Sequence, residues 1–376
     1  MRQRRVSLGD PVAFENMGDQ MRGMKRTRRA AAAVLGVAAL LSMAACGGSS
    51  SGSQGGTVGG GGKGAPSVGV SEINLSLPFF VQMKDASDTV GKAYGVSVTW
   101  QSADGSLEKQ ISTIENYISQ KKNVIMIDPI NADALVPVVN KATKAGIKVI
   151  TMGNKVAGSA NVSTLYPDHD NWVKNARILG HAVGGKGTVL LLIGSVGNYV
   201  SDTRQKAFED TMAKEFPNVK VITKPTNFDS SKAAQVTQTV LTDHTNLAGI
   251  ASISDGLTLP ALKVLQSNNK LGMPVVTNDG DPAVYPYIEK GQVISDVLTG
   301  SYRVGGWNTA VAARLAKGST LGRDVFMPTY FVAGNEPAVK AAGVKSITTT
   351  EAKAVAQNYL KEFGPAKSNA DMTVGK

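Results

Sequence analysis

Two aspartates that follow predicted strands are the residues whose placement most suggests chemistry. Asp255 comes just after the apolar stretch 247–253, and Asp279 follows the stretch 273–277. A carboxylate at the end of a buried strand can accept hydrogen bonds from two adjacent hydroxyl groups. Two carboxylates at a defined separation can also hydrolyse a glycosidic bond. Alternatively, Asp279 only shapes a turn before Gly280.

Other candidates for catalysis or metal binding are weak. The histidines are His169, His181 and His244. In "PDHDN" (167–171) Asp168 is predicted to be the N-cap of a helix, which explains the acidic cluster without a metal. "DGDP" lacks the spacing and closing Glu of a calcium loop, and "VGGKG" precedes a strand and lacks the Ser or Thr of a phosphate loop. The sequence therefore predicts no catalytic residue, no metal and no cofactor.

The elements that must position these aspartates alternate from Ser67 onward between short apolar runs and helical patterns. The runs include "SVGVS", "VSVTW", "NVIMI", "IKVIT", "TVLLLI", "VKVIT", "LAGIASI", "MPVVT" and "VISDVL". They are continuous and not alternating, which indicates parallel strands buried on both faces. The pattern predicts an α/β fold of two similar halves. Ligands of such sheets bind beyond the carboxyl ends of the strands.

The N-terminal residues predict export and membrane attachment. A basic stretch (22–29) precedes an apolar run (30–41) and the small residues Ala44 and Ala45, as in a secretory signal. The apolar run is shorter than the roughly 20 residues that span a bilayer. Met43 to Cys46 resembles the bacterial lipobox, so we expect residues 1–45 to be removed and Cys46 to carry lipid. Residues 1–20 show no pattern, which is consistent with a true start at Met21 or Met24.

The rest of the N-terminal region predicts a tether, and the composition limits the partners. Residues 46–65 consist of Cys46 and a tract of mostly Gly and Ser, a composition typical of a flexible linker. Without residues 1–45 the net charge falls from +11 to +6, because that segment carries eight basic and three acidic residues. The remaining basic residues form no cluster, which argues against nucleic-acid binding. Cys46 is the only cysteine, so no disulfide is expected.

Six motifs, in order along the chain, resemble those of the periplasmic sugar-binding proteins of ATP-binding-cassette importers, the ribose-binding type. They are "GVSEINLSLPFFVQMKDA", "VIMIDPINADALVPVVNKATKAGIKVITMG", "SDTRQKAF", "PTNFDSSKAAQV", "SDGLTLPALKVLQ" and "VVTNDGDP". The resemblance implies the type I periplasmic binding protein fold: two Rossmann-like lobes with parallel sheets, joined by a hinge of three crossovers. It implies an N-terminal lobe of 67–167 plus 301–326, a C-terminal lobe of 168–300 plus 327–342, and a C-terminal tail of 343–376 with no clear counterpart.

The resemblance also implies ligand-binding residues. Phe79, Phe80 and Phe228 match aromatic residues that stack on the sugar, and Arg204 matches an arginine that donates to two sugar oxygens. Asp279 matches the family's aspartate. The alternatives are that Phe79 and Phe80 only pack on the sheet, and that Arg204 is a surface residue paired with Asp202 or Glu209. We expect Arg204→Ala to abolish ligand binding and to leave the unliganded melting temperature nearly unchanged.

Several positions depart from the family pattern, so the ligand is not expected to be ribose. Leu77 replaces an Asn before the proline, Gly153 and Asn154 replace an Asp-Arg pair, Ser254 beside Asp255 replaces an Asn, and Asn278 replaces an aromatic residue. We include Asn154, Asp255 and Asn278 among the predicted ligand residues, together with Asn74 in the first motif. A site built for one hydroxyl pattern rejects others, because unmatched buried polar groups are costly.

These observations favour one function and leave two alternatives. The favoured function is an extracytoplasmic, lipid-anchored, monomeric protein that captures a monosaccharide, pentose or sugar alcohol and delivers it to a membrane permease. The alternatives are a sugar or signal-molecule sensor of the same fold and an extracellular glycosidase that would use Asp255 and Asp279. The fold resemblance alone does not separate import from sensing.

Overall fold

The computed structural model describes residues 64–76, 78–157, 162–334 and 336–367. The predicted signal peptide, Cys46, the Gly/Ser tract through residue 63 and Leu77 lie outside this set. No helix among the described residues is both long and apolar enough to cross a bilayer.

A six-stranded parallel sheet forms the centre of what we call the first lobe. Its strands, in spatial order β11-β5-β4-β3-β1-β2, are β1 (Ser67–Glu72), β2 (Ser97–Ser102), β3 (Val124–Ile127), β4 (Lys148–Met152), β5 (Val162–Leu165) and β11 (Asp324–Phe326). Its helices are α1 (Pro78–Tyr94), α2 (Leu107–Ser119), α3 (Ala132–Lys144) and α9 (Ser301–Ala316). In β3, Val124 and Met126 pack into the apolar core beside α1 and α9. Ile125 and Ile127 pack into the core beside α2 and α3, because successive side chains of a strand point to opposite faces.

A seven-stranded sheet forms the centre of the second lobe. Its order is β13-β12-β10-β9-β8-β6-β7, from β6 (Gly187–Ile193), β7 (Val219–Pro225), β8 (Leu247–Ser252), β9 (Val275–Asp279), β10 (Val293–Leu298), β12 (Tyr330–Val332) and β13 (Ser346–Ile347). β12 is antiparallel to β10, and the other neighbouring strands of this sheet are parallel to each other. The helices are α4 (Asp168–Ala182), α5 (Tyr199–Glu215), α6 (Ser230–Asp243), α7 (Asp255–Ser267), α8 (Tyr285–Glu289) and α10 (Pro337–Ala341).

Three short connections join the two lobes. They run from β5 to α4, from β10 to α9 and from β11 to β12, and each leaves one sheet and enters an element of the other lobe. The predicted α/β fold of two lobes with largely parallel sheets is therefore confirmed.

The C-terminal tail contacts both lobes. β13 joins the second sheet, and Ala352 of α11 (Thr349–Gln357) is buried in a core cluster of the second lobe. Phe363, the last residue of α12 (Tyr359–Phe363), is buried in a core cluster of the first lobe. The tail therefore makes a fourth passage between the lobes, which the sequence did not predict.

Candidate functional site

The candidate site lies at the carboxyl ends of the strands of both sheets. The three connections between the lobes run through the same region. The lobes approach each other here. The Lys155 ammonium, which follows β4, lies 6.0 Å from the ring centre of Tyr199 at the start of α5. A Cβ on Gly153 would lie 3.4 Å from the Tyr166 ring and 3.9 Å from a methyl group of Val200.

Arg204 is a buried residue of α5 whose guanidinium is held by the protein. Its side chain is 5% exposed, and its Nε donates to Asp168 Oδ1 at 2.7 Å. Nη1 donates to the carbonyl of Ile253 at 2.6 Å and lies 3.7 Å from Asp279 Oδ1. Burial lowers the pKa of Arg204 and the carboxylates of Asp168 and Asp279 raise it, with a net increase. The alternative of a surface arginine paired with Asp202 or Glu209 is wrong.

Asp168 is not the N-cap that the sequence suggested. The cap position is Pro167, which makes no side-chain capping bond, and Asp168 is the first helical residue. Burial raises the pKa of Asp168, and Arg204 lowers it by less. The ion pair explains why an acid can be buried here. Removing Arg204 would leave that acid unpaired, so the expectation that Arg204→Ala leaves stability nearly unchanged does not fit the structure.

Asp279 ends β9 beside Arg204 and has a strained backbone, with φ at 129°. Its Oδ2 accepts from the Ser254 hydroxyl at 2.8 Å and from the Asp255 N–H at 3.2 Å. The side chain is 20% exposed. Burial raises its pKa, and Arg204 lowers it by less. A partly exposed carboxylate beside a guanidinium gives adjacent acceptor and donor groups, which suits a ligand with neighbouring hydroxyls.

Asp255 and Asn278 lie behind Asp279 and hold it in place. Asp255 accepts from the Thr277 hydroxyl at 2.6 Å and from the Asp281 N–H at 2.7 Å. Asn278 is fully buried, accepts from the Trp172 indole N–H at 3.3 Å and donates to Asp279 Oδ1 at 3.3 Å. Their predicted contact with ligand stays a prediction, and the protein already occupies these oxygens.

A second acid also lies behind Asp279. Asp296 of β10 is fully buried, and burial raises the pKa of both Asp255 and Asp296 well above the usual range. Asp255 is itself buried, and its two carboxylate oxygens accept hydrogen bonds from the Thr277 hydroxyl and the Asp281 N–H. It is therefore poorly placed to reach a glycosidic bond together with Asp279.

The predicted aromatic residues are found on both lobes. Phe79 and Phe80 lie in the first turn of α1, half-buried and edge-to-face with ring centres 5.5 Å apart, and they also pack against the core of the first lobe. Phe228 follows β7 with φ at 58° and is 42% exposed. Its ring covers Gly194, where a Cβ would lie 2.1 Å from a ring carbon. An exposed ring held over a glycine offers a face for stacking.

The two predicted asparagines of the first lobe make mainly local hydrogen bonds. Asn74 is half-buried, and its side-chain oxygen accepts from the Ser76 N–H at 2.9 Å. Asn154 is 3% exposed, and its side-chain oxygen accepts from the Lys155 N–H at 3.1 Å. Their ligand contacts stay predictions.

Sequence reasoning missed three residues near this site, Glu72, Asp128 and Tyr166, and the pairing of Asp168 with Arg204. Glu72 ends β1 and Asp128 directly follows β3. That is the same signal that singled out Asp255 and Asp279. Among the described residues, no group of three or more His, Cys, Asp or Glu side chains is placed to hold a metal ion.

Comparison with known proteins identifies the family. A family model described as a periplasmic binding protein domain matches residues 68–320. The chain belongs to this family. A xylitol-binding protein of Mycolicibacterium smegmatis is 26% identical over 266 residues, 70% of this chain and 75% of the relative. A ribose import binding protein of Salmonella typhimurium is 26% identical over 248 residues, 65% of this chain and 82% of the relative.

Solved structures of the family share the fold. An ABC transporter solute-binding protein from Mycobacterium smegmatis with bound glycerol superposes with a TM-score of 0.68 at 24% identity. The match covers 76% of this chain and 99% of the solved one. The predicted resemblance to the periplasmic sugar-binding proteins and the predicted type I fold are confirmed.

Proposed function

We propose that this periplasmic binding protein captures a monosaccharide, pentose or sugar alcohol between its two lobes and releases it unchanged to an ATP-binding-cassette permease. The observation that carries the proposal is the arrangement of Arg204, Asp279 and Phe228 at the carboxyl edge of the second sheet. A fixed cationic donor, a partly exposed acceptor and an exposed ring together match hydroxyl groups on an apolar carbon frame.

The relatives support a polyhydroxylated ligand. Two are named for xylitol and ribose, and a solved structure of the same fold contains glycerol. The three connections between the lobes would act as the hinge, so that the first lobe brings Phe79 and Phe80 onto the ligand. The predicted lipid on Cys46 would hold the protein at the extracytoplasmic face of the membrane.

Isothermal titration of the purified protein with xylitol and D-ribose tests ligand capture. Arg204→Lys keeps a cation beside Asp168 but loses the planar fork, so we expect affinity to fall about tenfold or more. Arg177→Lys is the matched control, because Arg177 forms an exposed pair with Glu215 away from the site. Equal binding by wild type and Arg204→Lys would contradict the proposal, and so would the failure of a wider panel of pentoses, hexoses and sugar alcohols to bind.

Delivery to a permease needs a separate measurement. We expect cells that lack this chain to take up the labelled ligand more slowly, and we expect the intact gene to restore uptake. Normal uptake together with a lost cellular response to the ligand would favour the sensory alternative.

A further inference from the structure

The C-terminal tail crosses from the second lobe to the first without a loop at the crossing point. α11 ends at Gln357 and α12 begins at Tyr359, so Asn358 alone separates the two helices. Asn358 has a near-helical backbone, with φ at −91° and ψ at 17°, and its side-chain amide donates to the Ala354 carbonyl at 2.7 Å. Its own carbonyl accepts from the Glu362 N–H at 2.9 Å. The crossing is therefore an almost continuous helical segment and not a flexible linker.

The segment before Asn358 is anchored to the second lobe. Ala352 of α11 is fully buried in a core cluster of that lobe, and Val355 packs against the same cluster. The Thr349 hydroxyl donates to Glu289 Oε1 of α8 at 2.8 Å. α11 is therefore expected to move with the second lobe when the lobes rotate.

The segment after Asn358 is anchored to the first lobe. Phe363 of α12 is buried in a core cluster of that lobe, and its carbonyl accepts from the Tyr94 hydroxyl of α1 at 2.9 Å. Tyr359 stacks on Tyr302 of α9 with ring centres 5.9 Å apart. α12 is therefore expected to move with the first lobe.

One buried arginine places the crossing beside the hinge. Arg303 donates to both carboxylate oxygens of Glu362 and to the carbonyls of Thr299 and Pro328, which belong to the second and third connections between the lobes. Rotation of the lobes must therefore bend the tail at Asn358 or pull α11 or α12 off its lobe. Bending opposes the helical backbone, and detachment exposes buried apolar side chains, so both cost free energy.

We propose that residues 349–363, which we call the strap, hold the two lobes near the arrangement seen in the structure and restrict how far they open without ligand. In this arrangement Lys155 of the first lobe lies over the Tyr199 ring of the second. A protein held there loses less conformational freedom when it closes on a ligand, so the strap favours capture. The restriction does not depend on which ligand binds, and the inference therefore goes beyond the proposed function.

Pulsed electron paramagnetic resonance of the full chain without ligand measures the opening. Spin labels on Asp133→Cys in α3 and Ser231→Cys in α6 report the distance between the lobes, because both exposed positions lie in helices that start at the carboxyl edges of the two sheets. A Cys46→Ser background removes the only other cysteine. We expect the otherwise unchanged chain to give a single narrow distribution of distances.

Insertion of Gly-Ser-Gly-Ser after Asn358 loosens the strap, because four residues add up to about 13 Å of reach and interrupt the helical segment. We expect the distribution of distances to become at least about twice as wide and its mean to lengthen. The same insertion after the exposed Thr320, in a loop within the first lobe, is the matched control and should change nothing. An unchanged distribution after the insertion at Asn358 would overturn the inference.

Two substitutions of the exposed Asn358 decide the question if the insertion does not fold. Asn358→Gly adds backbone freedom at the crossing and removes the hydrogen bond to Ala354, so it should widen the distribution. Asn358→Ala favours a helix at the same position, so it should leave the distribution as narrow as before or narrower. The inference is wrong if Asn358→Gly and the parent chain give the same distribution.

Isothermal titration separates this inference from the proposed function. We expect the insertion after Asn358 to raise the dissociation constant for xylitol or D-ribose about threefold or more, because looser lobes populate the binding arrangement less often. An unchanged dissociation constant would refute the contribution of the strap to capture. If no sugar or sugar alcohol binds the wild type, the proposed function fails, whereas the distance measurement still decides whether the strap restricts opening.

Discussion

The C-terminal tail offers a sharp prediction, because one ion pair joins it to the hinge. Arg303 is fully buried in α9, and its Nε and Nη2 donate to the two oxygens of Glu362 in α12 at 2.9 and 2.6 Å. The same guanidinium donates to the carbonyls of Thr299 at 3.0 Å and Pro328 at 2.8 Å. Thr299 and Pro328 belong to two of the three connections between the lobes. The pair therefore fixes both connections to the tail.

Glu362→Ala should destabilise the protein substantially. Breaking a buried pair costs about 3–5 kcal/mol, because it leaves the other charge buried and uncompensated. The Glu362 side chain is 21% exposed, and the backbone carbonyls still accept from Arg303, so we expect a loss of about 2–3 kcal/mol. At about 2–4 °C per kcal/mol, the melting temperature should fall by roughly 5–10 °C.

Thermal unfolding followed by circular dichroism measures this fall. Asp210→Ala is the matched control, since it breaks the exposed pair of Lys206 and Asp210, whose side chains are 76% and 63% exposed. Surface pairs of this kind contribute little, so its melting temperature should stay at the wild-type value. If Glu362→Ala also melts at the wild-type temperature, the tail does not brace the hinge and our reasoning about the buried charge is refuted.

Three further predictions concern the site, the pH dependence and the membrane anchor. Gly194→Ala should displace the Phe228 ring and weaken polyol binding about tenfold; unchanged affinity in isothermal titration would show that the ring does not contact the ligand. The folded protein holds the Asp128 proton more tightly than the unfolded chain does, with a pKa of about 6. Protonated Asp128 therefore stabilises the folded protein fully below the ordinary aspartate pKa, and this stabilisation is lost as the pH rises through 6. We expect the melting temperature to fall from pH 5 to pH 7, and we expect Asp128→Asn to make this fall smaller. A melting temperature that rises with pH in differential scanning fluorimetry would contradict this. Cys46→Ser should move the protein from the membrane to the soluble fraction and remove the mass of the lipid; retention at the membrane would exclude this anchor.

The sequence predicted the fold because the relevant signals lie between neighbouring residues. Continuous apolar runs and helical spacing depend on positions a few residues apart. The predicted strand "VISDVL" (293–298) agrees with β10. The position after a predicted strand pointed to Asp279, because parallel strands gather the residues that follow them at one edge. Arg204 was identified only through the resemblance to the family.

Only the tertiary structure decided which side chains meet at that edge. Arg204 pairs with Asp168, 36 residues earlier, and not with the acids near it on its own helix. Glu72 and Asp128 lie side by side because their strands are neighbours in the sheet. Their proton affinities then follow from burial, which depends on every element packed around them.

In the C-terminal tail, too, the tertiary structure decided what the sequence could not predict. Its sequence predicted only that it lies beyond the lobes. Arg303 and Glu362, 59 residues apart, form their pair because α12 packs against the first lobe after β13 has joined the second sheet. Local propensity determines the elements, since it acts through neighbouring residues of the chain, whereas burial and charge pairing depend on residues that only the folded chain brings together.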